Sequence, residues 1–184
     1  RRVVELAERL DPDLIAVFGT SLIKGPLLSM GRLGIVNLHG GLSPEYRGAD
    51  CTFWALYNDE PEKIGCTLHF IDGGIDTGKL IAHVSPEVRP GDDELTLFWR
   101  AVKDSGDAYA EFFDRLGRGE SFGQHQPGKG RLYQVKDRGL SHERELGRRL
   151  ATGMLDRVVL PKRVTWFIPP SGCPPVTSEL IRVA

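Results

Sequence analysis

Two short, mainly apolar runs, Leu14 to Phe18 and Gly34 to Leu38, are separated by a stretch that carries Gly25, Pro26 and Gly31. Runs of that length without a sustained polar face suit strands buried on both sides, as in a parallel sheet flanked by helices. A short helical turn expected around Pro26 to Met30 makes the pair a βαβ unit. The chain has 184 residues, 40% of them hydrophobic, which is long enough for one sizeable core and short for two. The expected fold is α/β, a three-layer αβα domain with a mostly parallel central sheet.

The remaining periodicities fill in that architecture. Val3, Leu6, Ala7 and Leu10 recur at helical spacing until Asp11-Pro12 stops the pattern. Ala49 to Asn58, with Phe53, Trp54, Leu56 and Tyr57, predicts a helix with an aromatic face, ended by Asp59-Glu60-Pro61. Gly65 to Ile71 reads as a strand with Thr67 and His69 on one face and Cys66, Leu68 and Phe70 on the other, and Lys79 to Val84 as its successor. Leu95, Phe98, Val102, Tyr109, Phe112 and Leu116 form the apolar stripe of a long helix. Beyond Gly117, Gly123 to Gly130 reads as an exposed connection, Leu132 to Val135 as a short edge strand and Leu140 to Leu155 as a charged amphipathic segment. Pro161, Pro169, Pro170, Pro174 and Pro175 exclude a long helix or an interior strand at the end of the chain.

Charge narrows the function classes. The formal net charge is -1 with both signs interspersed, which provides no footprint for DNA and no polybasic face for a membrane. No stretch approaches the roughly twenty apolar residues that span a bilayer. The three cysteines, Cys51, Cys66 and Cys173, are too sparse for a secreted disulfide framework, so a reducing, cytoplasmic setting is expected. The chain starts Arg1-Arg2-Val3 without a methionine, and a fragment or processed form is the expectation.

Chemistry concentrates in two segments. Asn37-Leu38-His39-Gly40-Gly41-Leu42-Ser43-Pro44-Glu45-Tyr46-Arg47-Gly48 leaves a strand into a Gly/Pro-bounded loop, and Asp72-Gly73-Gly74-Ile75-Asp76-Thr77-Gly78 follows a second strand. Residues two apart on a strand share a face, so Asn37 and His39 address one ligand while Leu38 enters the core. Asn-x-His alone is a weak signal, and two satisfied polar groups at a strand end is its plainer meaning. An amide, an imidazole and a carboxylate beyond strand ends, where open α/β sheets bind ligands, tips the balance towards an acyl-transfer site. Cys66 and His69, three apart on a strand, fall on opposite faces, which argues against zinc and leaves no metal expected. Cys51 beside an aromatic helix reads as packing, since nothing indicates a lowered thiol pKa.

These segments resemble a family. Asn37 to Gly48 is similar to the Asn-x-His-x-Ser-Leu-Leu-Pro-x-Tyr/Trp-x-Gly signature of the 10-formyltetrahydrofolate-dependent formyltransferases, and Gly65 to Gly78 resembles their Gly-x-Thr-x-His…Asp-x-Gly segment. The family includes glycinamide ribonucleotide transformylase, the catalytic domain of methionyl-tRNA formyltransferase and sugar N-formyltransferases. The resemblance covers residues 10 to about 136. It implies a formyltransferase-like fold with Asn37, His39 and Asp76 as the catalytic triad. His69 then supports Asp76 from behind, or is a hydrogen-bonded core histidine. It also implies a site for 10-formyltetrahydrofolate, the formyl donor, on Ser21, Leu22 and Ile23, on Gly41, Leu42, Ser43 and Pro44, and on Ile71, Asp72, Gly73 and Gly74. Gly40-Gly41-Leu42-Ser43 departs from the commoner Pro/Gly-Ser-Leu-Leu.

The resemblance divides the chain into a catalytic domain over 1–136, N-terminally incomplete, and an appendage over 137–184. The appendage does not resemble the oligonucleotide-binding domain of the tRNA-directed members. A small-molecule amine, an amino sugar on a nucleotide carrier or an amino-acid derivative, is therefore favoured over methionyl-tRNA. Hydrolysis of formyltetrahydrofolate is the alternative within enzymes, and a noncatalytic folate-binding or scaffold protein the alternative outside them.

Overall fold

The structure, a computed structural model, describes residues 2–169; Arg1 and residues 170–184, with Pro170, Cys173, Pro174 and Pro175, lie outside the described residues. Helix α1 (Arg2–Leu10) leads to strand β1 (Ile15–Phe18), a 3-10 turn over Gly25–Ser29, and β2 (Ile35–His39). Then come β3 (Tyr46–Gly48), α2 (Cys51–Tyr57), β4 (Cys66–Phe70), β5 (Leu80–Ser85) and the long α3 (Glu94–Gly117). The chain continues through β6 (Arg131–Tyr133), α4 (Leu140–Ala151) and β7 (Arg163–Trp166).

Five strands form the main sheet in the order β1-β2-β4-β5-β7, and β3 pairs with β6 in a small second sheet. The β1–β2 pair is parallel, as the βαβ pattern implies. The sheet is mixed, however: β4 runs antiparallel to β2, β5 to β4 and β7 to β5. The expectation of a mostly parallel sheet is corrected to that extent within the α/β fold. The reason is that a continuous apolar run reports burial on both faces and not strand direction; every residue of β4 is buried.

One face of the sheet is apolar, and the other carries the polar residues Asn37, His39, Thr67, His69 and His83 beside the buried Ile35. Val36, Leu38, Cys66, Leu68, Phe70, Ala82 and Val84 make the core face, against which Ala101, Ala108 and Phe112 of α3 pack. The register puts Asn37 opposite His69, His39 opposite Thr67, and Thr67 opposite His83 on the other face. The stripe expected on α3 is offset. Its buried residues are Leu97, Ala101, Ser105, Ala108 and Phe112, while Leu95 is exposed. Small side chains let the helix lie close to the sheet, and a reading weighted towards large residues passes over them. Val102, Tyr109 and Leu116 flank the contact, partly buried.

Residues 137–169 belong to the same body as the residues before them. Leu146 and Leu155 are buried in a cluster with Tyr46, Phe53, Trp54 and Leu56, and β7 hydrogen-bonds along β5. The boundary placed after Lys136 therefore cuts through a core and a sheet. Prolines confined β7 to an edge, which is where it sits, and an edge strand still contributes a full ladder.

Candidate active site

The polar face of the sheet is the floor of the site. Asn37 and His39 rise from β2, His69 from β4, and the loop after β4 folds back to bring Asp76 over them. Asp76 Oδ2 stands 3.4 Å from His39 Nδ1, and Oδ1 stands 3.5 Å from His69 Nε2. Because β4 is antiparallel to β2, the site lies on this face and not beyond a row of carboxyl ends.

Each ring has one nitrogen committed elsewhere. His39 Nε2 donates to the Tyr46 carbonyl at 3.0 Å, and His69 Nδ1 donates to the Phe70 carbonyl at 2.8 Å. Carbonyls only accept, so the neutral rings present His39 Nδ1 and His69 Nε2 as acceptors. Asn37 Nδ2 lies 3.2 Å from His69 Nε2 and gives it one N–H, which leaves the second amide hydrogen for a ligand. Burial pushes the His39 imidazole below its ordinary value, against the raising influence of Asp76. The resting ring is therefore neutral. Burial alone would raise the Asp76 carboxyl, but it lies below its ordinary value: the Gly48 N–H donates to it, and either neighbouring imidazole favours the ionised carboxylate once that ring takes up a proton.

The acid loop is held at several points. Gly48 N–H donates to Asp76 Oδ2 at 2.9 Å, Arg47 Nη1 to the Ile75 carbonyl at 3.2 Å, and Gln126 Nε2 to the carbonyls of Asp76 and Gly78 at 2.8 and 2.9 Å. Asp72 braces it internally, accepting from Gly74 N–H and from the Thr77 hydroxyl. Asp76 itself has φ +51°, a left-handed conformation that a non-glycine residue keeps only where its surroundings impose it. Gly48 must be glycine. Its φ is +86° and a Cβ there would stand 2.1 Å from the Tyr133 carbonyl oxygen.

A cleft of about 370 Å³ opens above this floor. Phe18, Leu22, Ile23, Ile71, Ile75 and Phe98 line it, together with Asn37, His39, His69 and Asp76. Of the residues expected to bind the donor, Ser21, Leu22, Ile23, Ile71 and Gly74 lie in its walls. The structure does not bring Gly41, Leu42, Ser43 and Pro44 there; all four are buried under the loop. Thr67 Oγ1 donates to the Gly41 carbonyl and accepts the Ser43 N–H, and His83 Nε2 donates to the Ser43 carbonyl. The backbone groups of Gly41 and Ser43 serve to seat the loop on the sheet. Asp72 and Gly73 also lie outside the cleft lining, Asp72 being occupied with its own turn.

Cys51 Sγ approaches His39 Nε2 at 3.6 Å, but burial drives its thiol far above the usual range, so it is no thiolate. Arg47, Gln126 and Phe98 were missed by the sequence reading. Gln126 carries no signal, because it sits in a Gly/Pro-rich stretch that reads as connection, yet Gln124 bridges to Leu80 and directs Gln126 onto the acid loop.

A family model described as formyl transferase matches residues 1–112. A methionyl-tRNA formyltransferase of Citrifermentans bemidjiense is 38% identical over 119 residues, 64% of this chain and 37% of that protein. A GDP-perosamine N-formyltransferase of Brucella melitensis is 35% identical over 99 residues, 53% of this chain and 38% of that protein. The chain thus spans well under half the length of these curated relatives. Among solved structures, the formyltransferase PseJ from Anoxybacillus kamchatkensis, in complex with UDP-4,6-dideoxy-4-formamido-L-AltNAc and tetrahydrofolate, matches with a TM-score of 0.62 and 26% identity. That match covers 78% of this chain and 73% of that one.

Proposed function

The chain belongs to the formyl transferase family, and from that premise we propose that it moves a formyl group from 10-formyltetrahydrofolate to a primary amine. The observation that carries the reading is the convergence of Asn37, His39 and Asp76 on the floor of one largely apolar cleft. The tetrahydrofolate bound by the similar Anoxybacillus protein supports the donor class. So do the cleft walls: Phe18, Leu22 and Ile75, each close to half exposed, offer apolar surface to a flat heterocycle beside the backbone of Ser21 to Ile23.

The donor supplies an activated formyl carbon. As the amine attacks it, negative charge grows on the formyl oxygen, and the free Asn37 N–H is the donor placed to stabilise it. The amine must shed a proton. That proton lodges between Asp76 Oδ2 and His39 Nδ1, turning two facing acceptors into a hydrogen bond, and is then returned to the departing nitrogen. His39 is thus a charged partner only after it has taken up the proton, and Asn37 carries the oxygen in the resting arrangement. His69 Nε2 accepts the Asn37 N–H and so orients the amide, and it stands 3.5 Å from Asp76 Oδ1.

For the acceptor, a small-molecule amine remains the favoured class, and methionyl-tRNA is the alternative that the Citrifermentans relative supports. Part of the basic charge of the C-terminal part is paired: Arg138 with Glu94, Arg148 with Glu145, and Arg149 with Asp59. Paired cations give little free charge to an RNA backbone. A second hollow bounded by Gly40, Gly48, Asp50, Cys51, Glu94 and Phe98 meets the cleft at Gly40, Gly48 and Phe98, and is the approach left to the acceptor. The two buried free thiols, Cys51 and Cys66, fit a reducing, cytoplasmic setting.

The test is formyl transfer by the full-length protein from 10-formyltetrahydrofolate to amino-sugar nucleotides, amino acids and methionyl-tRNA in parallel. Transfer to a small amine supports the reading. Formate release that needs no amine would replace it with hydrolysis, and donor binding without turnover would replace it with a binding role.

A further inference from the structure

Arg47 is a buried cation that forms no ion pair among the described residues. Its residue is 8% exposed, its Nε has no hydrogen-bond partner, and among the described residues no carboxylate lies within ion-pair distance of it. A charge so placed is expensive to bury, and nothing in the packing of β3 demands it: Tyr46, next to it, belongs to the aromatic cluster. What its guanidinium does touch is the Ile75 carbonyl, the peptide that joins Ile75 to Asp76. The following residue, Gly48, gives its N–H to the Asp76 carboxylate. Consecutive residues of β3 therefore grip the acid loop on both sides of the Cα that holds the left-handed conformation.

The charged and titratable groups facing His39 come from four other elements and the acid loop. They are Arg47 on β3, Cys51 on α2, His69 on β4, His83 on β5 and Asp76 on the loop. Among them Arg47 is the one fixed cation. A fixed positive charge disfavours any further proton nearby, on imidazole or carboxylate alike.

We propose that Arg47 is a positioning residue for the transfer step: its guanidinium fixes the acid loop at Asp76, and its uncompensated charge keeps the His39–Asp76 pair free of a proton until the amine delivers one. This rests on the reading of the site as a formyl-transfer centre. The lowered His39 value, to which Arg47 contributes, agrees with it.

The experiment compares Arg47→Gln, Arg47→Met and Arg47→Lys in the full-length protein, with two readouts. The first is the NMR titration of the His39 imidazole, which needs no substrate. Both neutral variants should raise it, by about a few tenths of a pH unit, and Arg47→Lys should leave it near the wild-type position. The second is the pH dependence of formyl transfer. The acidic limb of kcat should move upward with the imidazole in the neutral variants. In all three, kcat should fall about tenfold or more with the donor KM nearly unchanged, since the loop contact is lost. A His39 titration unmoved in a folded neutral variant overturns the proposal, as does a loss confined to KM. Failure of all three variants to fold would make Arg47 a core residue and overturn it too. A wild-type protein that transfers no formyl group would instead defeat the functional reading, and the titration would still decide the role of Arg47.

Discussion

His39 Nδ1 faces Asp76 Oδ2 across 3.4 Å while Nε2 of the same ring is tied to the Tyr46 carbonyl at 3.0 Å. The neutral ring and the ionised carboxylate therefore meet lone pair to lone pair, and a single proton would join them. A site arranged in this way gains stabilisation when a proton arrives between the two groups. That is what an attacking amine has to dispose of, and it ties the unusual backbone of Asp76 to the chemistry.

Stability should fall with acidification. Burial is the chief influence on both His39 and His83, and both imidazoles lie below their ordinary value. A histidine depressed in the folded state contributes its full stabilisation above the unfolded value, about 6.5, and loses it as pH drops below that point because the unfolded chain binds the proton more readily. Asp76, also depressed, contributes above about pH 4 and fades below it. Thermal melts should show the melting temperature declining from about pH 7 to pH 5, and less steeply in His83→Gln. A melting temperature that climbs on acidification through this window would refute the assignment.

Gly48→Ala should impair both the fold and the site. The added methyl would meet the Tyr133 carbonyl at 2.1 Å and the residue would have to hold φ +86°, at a cost on the order of 1–3 kcal/mol. The N–H that braces Asp76 would shift with it. Denaturant melts should show the loss, with formyl transfer reduced further than the fraction of folded protein explains. Wild-type stability in this variant would show that the β3–β6 contact is not tight.

How much of this was legible beforehand follows from what each signal reports. The face-sharing of Asn37 with His39 and of Thr67 with His69 came directly from the period of a strand, and the structure has both pairs on one face. Strand direction did not, because β4 and β5 are buried on both faces and read as they would in a parallel sheet. Motif position points Gly41 to Pro44 at the donor, while the bonds of Gly41 and Ser43 to Thr67 and His83, which the motif does not announce, seat this segment on the sheet. Hydrogen bonds between residues far apart in the chain leave no periodic trace, which also hid Gln126 from view.

The segment after residue 136 should be indispensable. Truncation after Lys136 removes the strand beside β5 and the buried Leu146 and Leu155. Leu155→Ala alone should cost about 2–5 kcal/mol, and the truncated chain should lose its cooperative thermal transition. A truncated protein that still melts in one sharp step would restore the boundary at 136.

Donor binding should order the cleft walls selectively. A stable folate analogue should slow hydrogen exchange at Ser21 to Ile23 and at Ile71 to Gly74. Gly41 to Ser43, already buried and in part bonded, should exchange slowly with or without it. Protection gained only in the C-terminal segment would point to a different pocket.

The most direct test of the site is single-turnover formyl transfer by the full-length Asp76→Asn protein beside wild type and Asn37→Ala. Asp76→Asn keeps the shape of the side chain and removes the acceptor that receives the proton, so transfer should slow by about a hundredfold or more while folate-analogue affinity stays close to wild type. Asn37→Ala, which removes the donor to the formyl oxygen, should fall by a similar factor. Transfer at a near-normal rate in Asp76→Asn would contradict the account, because the proton would then be leaving by a route that the His39–Asp76 pair does not provide.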